Sequence, residues 1–136
     1  MKIFFDSNVL ISVAASHQGF CNRLFQHCIG RHTIYICPFV LNEVEEKLHL
    51  KIKLTTSESR LFIDYLKSYC RIVKDAKLVE KVSRDPKDDP VLATAFSSGA
   101  KYLLTGDKDL LILKEYRGIP IIKPGDFKVI DETFKG

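Results

Sequence analysis

Acidic residues recur at a particular kind of place along this chain, where an apolar run ends or a helical stretch begins. Asp6 follows the run opening MKIFFDSNVLIS, and Glu43 sits within PFVLNEVEEKL. Asp88 opens DDPVLATAF, and Asp107 follows YLLTG, with Asp109 two residues later. Two carboxylates about 4 Å apart repel by about 4 kcal/mol at an effective dielectric of 20. Three or four in one pocket would take up protons or require a cation. Mg²⁺ or Mn²⁺ answers that requirement, because hard cations prefer oxygen ligands. The chemistry such a set could support is hydrolysis of a phosphodiester by water, with no protein nucleophile. No Ser/His/Asp or Cys/His pattern offers one.

Each acid also has a structural use. Asp6 can cap the helix that follows, although Ser7 and Asn8 could do the same. Glu43 lies at one edge of the apolar stripe Val40, Leu41, Val44 and Leu48, Glu45 at the other, and Glu46 faces further out. Glu43 is therefore the acid best placed to point into a cleft. Asp89 directly precedes Pro90 and reads as the helix cap, which frees Asp88 for a metal. Asp85 reads as a turn residue. Asp109 can cap the helix at Leu110 or join the metal site. Asp6, Asp88 and Asp107 are the expected metal ligands, with Asp89 and Asp109 as further candidates and Glu43 assisting or orienting water.

These residues must be carried by elements that bring distant positions together. Lys2 to Phe5 reads as a buried strand, followed by helical spacing from Ser7 to Ala15 and from Gln18 to Ile29. Gly30 suits a helix stop. Thr33 to Cys37 is β-branched and aromatic, a strand pattern, and Pro38 suits the first turn of a helix. Thr56 or Ser57 could cap a helix carrying Leu61, Phe62, Tyr65, Leu66 and Tyr69. Arg71 to Lys74 is a short strand candidate, Ala76 to Val82 a helix candidate, and Arg84 to Pro90 a polar loop. A helix follows with Leu92, Ala95 and Phe96 inward and Gly99 near its end. Lys101 to Leu104 reads as a strand, Lys108 to Lys114 as a short helix, and Pro120 to Lys123 as a last strand. The tail from Asp126 is weakly specified. Alternation of this kind predicts a parallel sheet with helices on both faces. Ligands then bind at the carboxyl ends of the strands, near a change in strand order.

The 136 residues fit one domain spanning 1–136, able to bury a core without disulfides. Hydrophobic content of 46% and charged content of 28% exclude a disordered chain. No apolar stretch would cross a bilayer, and MKIFF runs into Asp6 without the zones of a signal peptide, so a cytoplasmic location is expected. Cys21, Cys28, Cys37 and Cys70 form no metal-binding spacing and read as reduced thiols. His17, His27, His32 and His49 form no H-E-x-x-H pattern and read as helix and loop residues. The net charge of +4 leaves a more basic surface once several acids are gathered at a metal, a field suited to a nucleic-acid backbone. Lys47, Lys51 and Arg84 are the candidate backbone contacts. Tyr65 and Tyr69 could stack on bases, but their spacing predicts core packing.

With these motifs in hand, the chain resembles the PIN-domain family of ribonucleases. The resemblance runs from FFDSNVLIS through LNEVEEKL and DDPVLATAF to YLLTGDKDLL, in the family's order. It implies a three-layer α/β/α sandwich around a mostly parallel sheet, and Mg²⁺- or Mn²⁺-dependent cleavage of RNA. Asp6 matches the family's first acid, Glu43 the second, Asp88 the third and Asp107 the fourth. Asn8 and Thr105 match the positions that support the first and fourth. The pair Asp88–Asp89 leaves the third acid open by one residue, and TGDKDLL offers two acids where many members use one. Small stand-alone members are often toxins of prokaryotic toxin–antitoxin pairs, so the resemblance implies a protein antitoxin and often a homodimer. An alternative is a catalytically inactive nucleic-acid-binding or regulatory module on the same fold. A phosphatase with an aspartate nucleophile is disfavoured, because its general acid would stand where this chain has Asn8. RNA and DNA stay open as substrates, since carboxylate–metal sites read phosphate rather than the 2′-OH.

Overall fold

Ile3, Phe4 and Phe5 are fully buried, so the first strand, β1 (Lys2–Phe5), has apolar side chains on both faces. That is the signature of a strand covered on two sides in a parallel sheet. A computed structural model describes residues 1–77 and 86–136 of the chain. β1 pairs in parallel with β2 (Thr33–Ile36) on one side and β4 (Tyr102–Leu104) on the other. β3 (Arg71–Ile72) extends the sheet beyond β2. β6 (Ile119–Ile122) extends it beyond β4, and β5 (Glu115–Tyr116) closes that edge as the antiparallel arm of a hairpin. The six-strand order is β3-β2-β1-β4-β6-β5. The chain steps outward from β1 to β3, then returns to the other side of β1 at β4. The change of direction falls between β1 and β4, where open parallel sheets leave a crevice at their carboxyl ends.

Seven helices accompany the sheet among the described residues: α1 (Ser7–Ala15), α2 (Phe20–Cys28), α3 (Pro38–Leu50), α4 (Thr56–Tyr69), α5 (Asp89–Ser97), α6 (Lys108–Leu111) and α7 (Phe127–Ile130). α1 packs against both α2 and α3, and α3 against α4. Buried residues from β1, β2, β4, α1, α2 and α3 form one core that also takes in Phe127 and Phe134 near the C-terminus. Pro38 starts α3 as expected, and Gly30, at φ +82°, takes the left-handed turn that ends the α2 region.

The structure corrects several local readings. α4 is capped by Thr55, one residue before the expected caps, and its hydroxyl accepts from Glu58 N–H while the Glu58 carboxylate accepts from Thr55 N–H. This reciprocal box satisfies two helix-end donors that a lone Ser or Thr cap would leave to water. Thr55→Ala is expected to cost about 1 kcal/mol and lower the melting temperature by roughly 4 °C, measured by circular dichroism. The inward face of α4 is Ser59, Ile63 and Leu66, whereas Leu61 is 71% and Tyr69 51% exposed. The helix is rotated so that Ile63, not Leu61 or Tyr69, meets the core. Phe96 also lies at the surface, with the Arg117 guanidinium 5.1 Å from its ring centroid. A cation–π contact covers it in place of the core.

The short helix after β4 ends at Leu111, and the residues beyond it turn into the unforeseen strand β5. The tail is also ordered by packing: a 3₁₀ turn (Pro124–Asp126) leads into α7, and Phe127 and Phe134 are both buried. Of the expected helix from Ala76 to Val82, Ala76 and Lys77 lie in neither helix nor strand, and the remainder lies outside the described residues. Within the polar loop, Pro86–Asp88 forms a 3₁₀ turn, while Arg84 and Asp85 lie outside the described residues.

Candidate active site

The two central strands each deliver a carboxylate to the same end of the sheet. β1 ends at Phe5, and Asp6 N–H donates to Leu104 O at 2.9 Å, tying the end of β1 to the end of β4. Asp6 then caps α1, its Oδ1 accepting from Ser7 N–H at 2.7 Å. Its Oδ2 accepts from the Thr105 hydroxyl at 2.7 Å and from Asn8 Nδ2 at 3.1 Å. The Thr105 hydroxyl is the hub of the site. It donates to Asp6, and accepts from Asn8 Nδ2 at 3.2 Å and from Asp107 N–H at 3.0 Å. Asn8 Oδ1 in turn accepts from Gly106 N–H at 2.6 Å. A Cβ on Gly106 would lie 3.2 Å from that oxygen, so a larger residue would require the Asn8 side chain to give by a few tenths of an ångström.

Thr105 is fully buried and Asp6 only 3% exposed. Burial pushes the Asp6 carboxyl up from 3.8 to about 6, against the lowering effect of the Thr105 and Ser7 hydrogen bonds, with Glu43 and Asp107 adding like-charge repulsion. Asp6, Glu43 and Asp107 therefore share one electrostatic neighbourhood although they are far apart in sequence. Glu43, half-buried on α3, accepts a hydrogen bond from the Ser7 hydroxyl. Glu45 and Glu46, on the same helix, are exposed.

Asp107 caps α6, its Oδ1 accepting from Asp109 N–H at 2.8 Å. Asp109 is thus in the first turn of α6 and is not its cap. Asp88, 8% exposed, occupies the capping position of α5 without a side-chain capping bond. Asp89 is the first residue of that helix and not its cap, contrary to the expectation drawn from Pro90. Carboxylate oxygens of Asp88, Asp107 and Asp109 lie within 4.8 Å of one another. Asp6 is not in that group; both its oxygens are engaged by Ser7, Asn8 and Thr105. The three grouped residues present oxygen donors alone, with no thiol or imidazole, and that donor set suits a hard divalent cation.

Beside the acids lies an open cleft of about 420 Å³ lined by Asn8, Val9, Ser12, Lys47, Gly106 and Asp107. Lys47 is one helical turn beyond Glu43 and contributes a cation to the wall. Lys51, at the end of α3, is exposed and does not line the cleft. Arg84 lies outside the described residues. Tyr65 is half-buried, with ring centroids 5.8 Å from Phe25 and 6.0 Å from Phe62, and Tyr69 is 5.1 Å from Tyr65. The Tyr65 hydroxyl accepts from Gln26. Burial pushes the Cys28, Cys37 and Cys70 thiols up to about 12, so they are packing residues rather than nucleophiles.

Carboxylates thus follow the ends of the adjacent parallel strands β1 and β4 and stand at the start of α5. The chain belongs to the PIN domain family, whose model matches residues 2–109. No curated protein sequence matches it. Among solved structures it is similar to VapBC2 from Rickettsia felis bound to a DNA fragment from its promoter. That match has a TM-score of 0.67 and 14% identity, over 90% of this chain and 98% of the other. It is also similar to PAE2754 from Pyrobaculum aerophilum, with TM-score 0.64, 18% identity, and 96% and 88% of the chains covered. A third is VapC20 from Mycobacterium tuberculosis, described as a sarcin–ricin loop cleaving toxin. Its TM-score is 0.63 at 12% identity, over 87% of this chain and 98% of that one. At these identities the likeness is one of fold.

Proposed function

We propose that this PIN-domain protein is a metal-dependent endoribonuclease, the toxin of a toxin–antitoxin pair. The observation that carries the reading is the meeting of Asp88, Asp107 and Asp109 within 4.8 Å, at the carboxyl end of the sheet where Asp6 follows β1. Asp88, Asp107 and Asp109 would hold a Mg²⁺ or Mn²⁺ ion, with Asp6 alongside as the buried acid that sets their frame and Asp89 one residue further along α5. The chemistry such an ion supplies is Lewis-acidic, neutralising charge at the phosphodiester and easing ionisation of the attacking water. Thr105 fixes Asp6 and the Asp107 backbone with one hydroxyl, and Asn8 pins the Gly106 loop, so the strand ends cannot drift apart. Glu43, steadied by Ser7, orients the water. Lys47 on the cleft wall attracts the substrate backbone. Lys51 extends that positive charge along α3, and Arg84 adds a further contact to the substrate backbone.

The toxin reading is supported by the similarity of almost the whole fold to structures named VapBC2 and VapC20. A protein antitoxin that covers the acidic cleft, a homodimer and a cytoplasmic location accompany it. Among the described residues, no helix is long and apolar enough to cross a membrane. The purified chain is expected to cut RNA in Mg²⁺ or Mn²⁺, to stop in EDTA, and to recover when either ion is restored. Single-stranded DNA of the same sequence serves as the comparison. RNA cleavage at the same rate in EDTA would refute the assignment.

A further inference from the structure

A second cluster of ligand-type side chains lies outside the acidic cleft. His27 is in the last turn of α2, His32 just precedes β2, and Asp131 ends α7. The Nε2 atoms of His27 and His32 lie 2.9 Å and 2.7 Å from the same oxygen, Asp131 Oδ2. Their side chains are 12%, 11% and 10% exposed. One potential ligand atom from each residue lies within 4.8 Å of the others.

The surroundings hold each group in place. Thr133 donates to the other carboxylate oxygen, Asp131 Oδ1, from its N–H at 3.0 Å and from its hydroxyl. This leaves Oδ2 for the two imidazoles. The Thr133 bonds, joined by those from His32 and His27 and opposed by burial, hold the Asp131 carboxyl well below the usual carboxylate range. The carboxylate is therefore anionic at any physiological pH. The Met1 amine lies 3.0 Å from His32 Nδ1, fixing the outer side of that ring. Phe127 and Phe134 wall the cluster, their ring centroids 6.3 Å and 5.1 Å from that of His27.

We propose that His27, His32 and Asp131 form a binding site for a zinc-class divalent metal, separate from the acidic cleft. Two imidazoles and one carboxylate are a donor set for Zn²⁺ and its transition-metal neighbours, whereas Mg²⁺ favours oxygen alone. Tetrahedral ligands at bonds of about 2.0–2.1 Å stand about 3.4 Å apart, so the side chains need open by only about half an ångström. Coordination takes the Nε2 lone pair of each neutral imidazole, so each ring carries its one proton at Nδ1 when the metal is bound, and at His32 the Met1 amine then gives up a proton to solvent and accepts from Nδ1. A fourth position is left to water. The metal would tie α7, and with it the C-terminal segment, to α2 and the start of β2.

The test is titration of the untagged full chain with Zn²⁺ in excess Mg²⁺, followed by isothermal calorimetry. One equivalent is expected to bind. His27→Gln and Asp131→Asn should each weaken it at least about tenfold, and Asp107→Asn should leave it unchanged. Asp131→Asn keeps the side-chain shape and the Oδ1 bonds from Thr133, and circular dichroism identifies any variant that has not folded. Absence of binding by folded wild type overturns the proposal. So does Zn²⁺ affinity indifferent to His27→Gln and Asp131→Asn in folded protein, or affinity lost with Asp107→Asn. RNA cleavage plays no part in this readout, so failure here and failure of the nuclease reading are told apart.

Discussion

Asp107→Asn is expected to reduce Mg²⁺-dependent RNA cleavage by more than about 100-fold while the apo protein melts at the same temperature or higher. The two halves of that expectation come from the same geometry. Asp107 is one of three carboxylates whose oxygens lie within 4.8 Å, and its backbone N–H, which the substitution keeps, is joined through Thr105 to Asp6. Loss of a group that merely orients a metal ligand costs about 10- to 100-fold, so loss of a ligand's own charge should exceed that range. Asparagine keeps the Oδ1 that accepts from Asp109 N–H, so the start of α6 is retained. It also removes one of three mutually repelling charges. With Asp107 and Asp109 half-exposed, solvent screens much of that repulsion, and the gain in apo stability is small but positive in sign. Cleavage of a labelled RNA, with thermal denaturation in EDTA, measures both halves. A variant that cleaves at the wild-type rate would remove Asp107 from the site. A variant that loses activity and melts well below wild type would instead assign Asp107 to the fold.

What could be read from the sequence, and what could not, follows from the range of the interactions involved. Lys2 to Phe5 and the turn into Asp6 were legible because a short apolar run ending in an acid followed by helical spacing is a local signal. The stripe of Val40, Leu41, Val44 and Leu48 fixed which side of α3 is buried, and with it the preference for Glu43 over Glu46. The rotation of α4 was not legible. Leu61, Phe62, Tyr65 and Tyr69 make an apolar arc as persuasive as that of Ile63 and Leu66, and only the docking of α4 on α3 selects between them. The surface position of Phe96 has a related cause, because its cover comes from Arg117 in a distant hairpin. The caps of α5 and α6 each shifted by one or two residues, since adjacent aspartates offer equivalent oxygens until the backbone chooses a turn. Hardest of all was the cluster of His27, His32 and Asp131, whose members are separated by 104 and 99 residues. No local spacing announces it. The signal that could have raised the question is the pair of histidines five apart across Gly30, beside a tail ending in buried-type phenylalanines.

In the absence of metal, the protein is expected to lose stability as pH rises from about 4 to about 7. The cause is Asp6, whose carboxyl is pushed from 3.8 to about 6, first by burial and then by Glu43 and Asp107, despite two hydrogen bonds that favour the ion. A group with a raised folded value holds its proton more tightly in the folded state than in the unfolded chain. Below pH 3.8 both states are protonated and Asp6 exacts no penalty. Between 3.8 and about 6 the folded protein binds the extra proton, so stability falls with rising pH across that window. The full interval corresponds to at most about 3 kcal/mol from this residue. Asp131 acts in the opposite sense but at lower pH: its carboxyl is held well below the usual range, so its stabilising contribution is lost progressively as pH falls below 3.8. A divalent cation at the neighbouring carboxylates would favour the Asp6 anion and flatten the slope. Urea midpoints measured between pH 4 and pH 7, in EDTA and in Mg²⁺, should therefore diverge most at the neutral end. An Mg²⁺ effect of equal size at pH 4.5 and pH 7 would mean that Asp6 does not sense the ion, and that the acids at the ends of β1 and β4 do not act as one site.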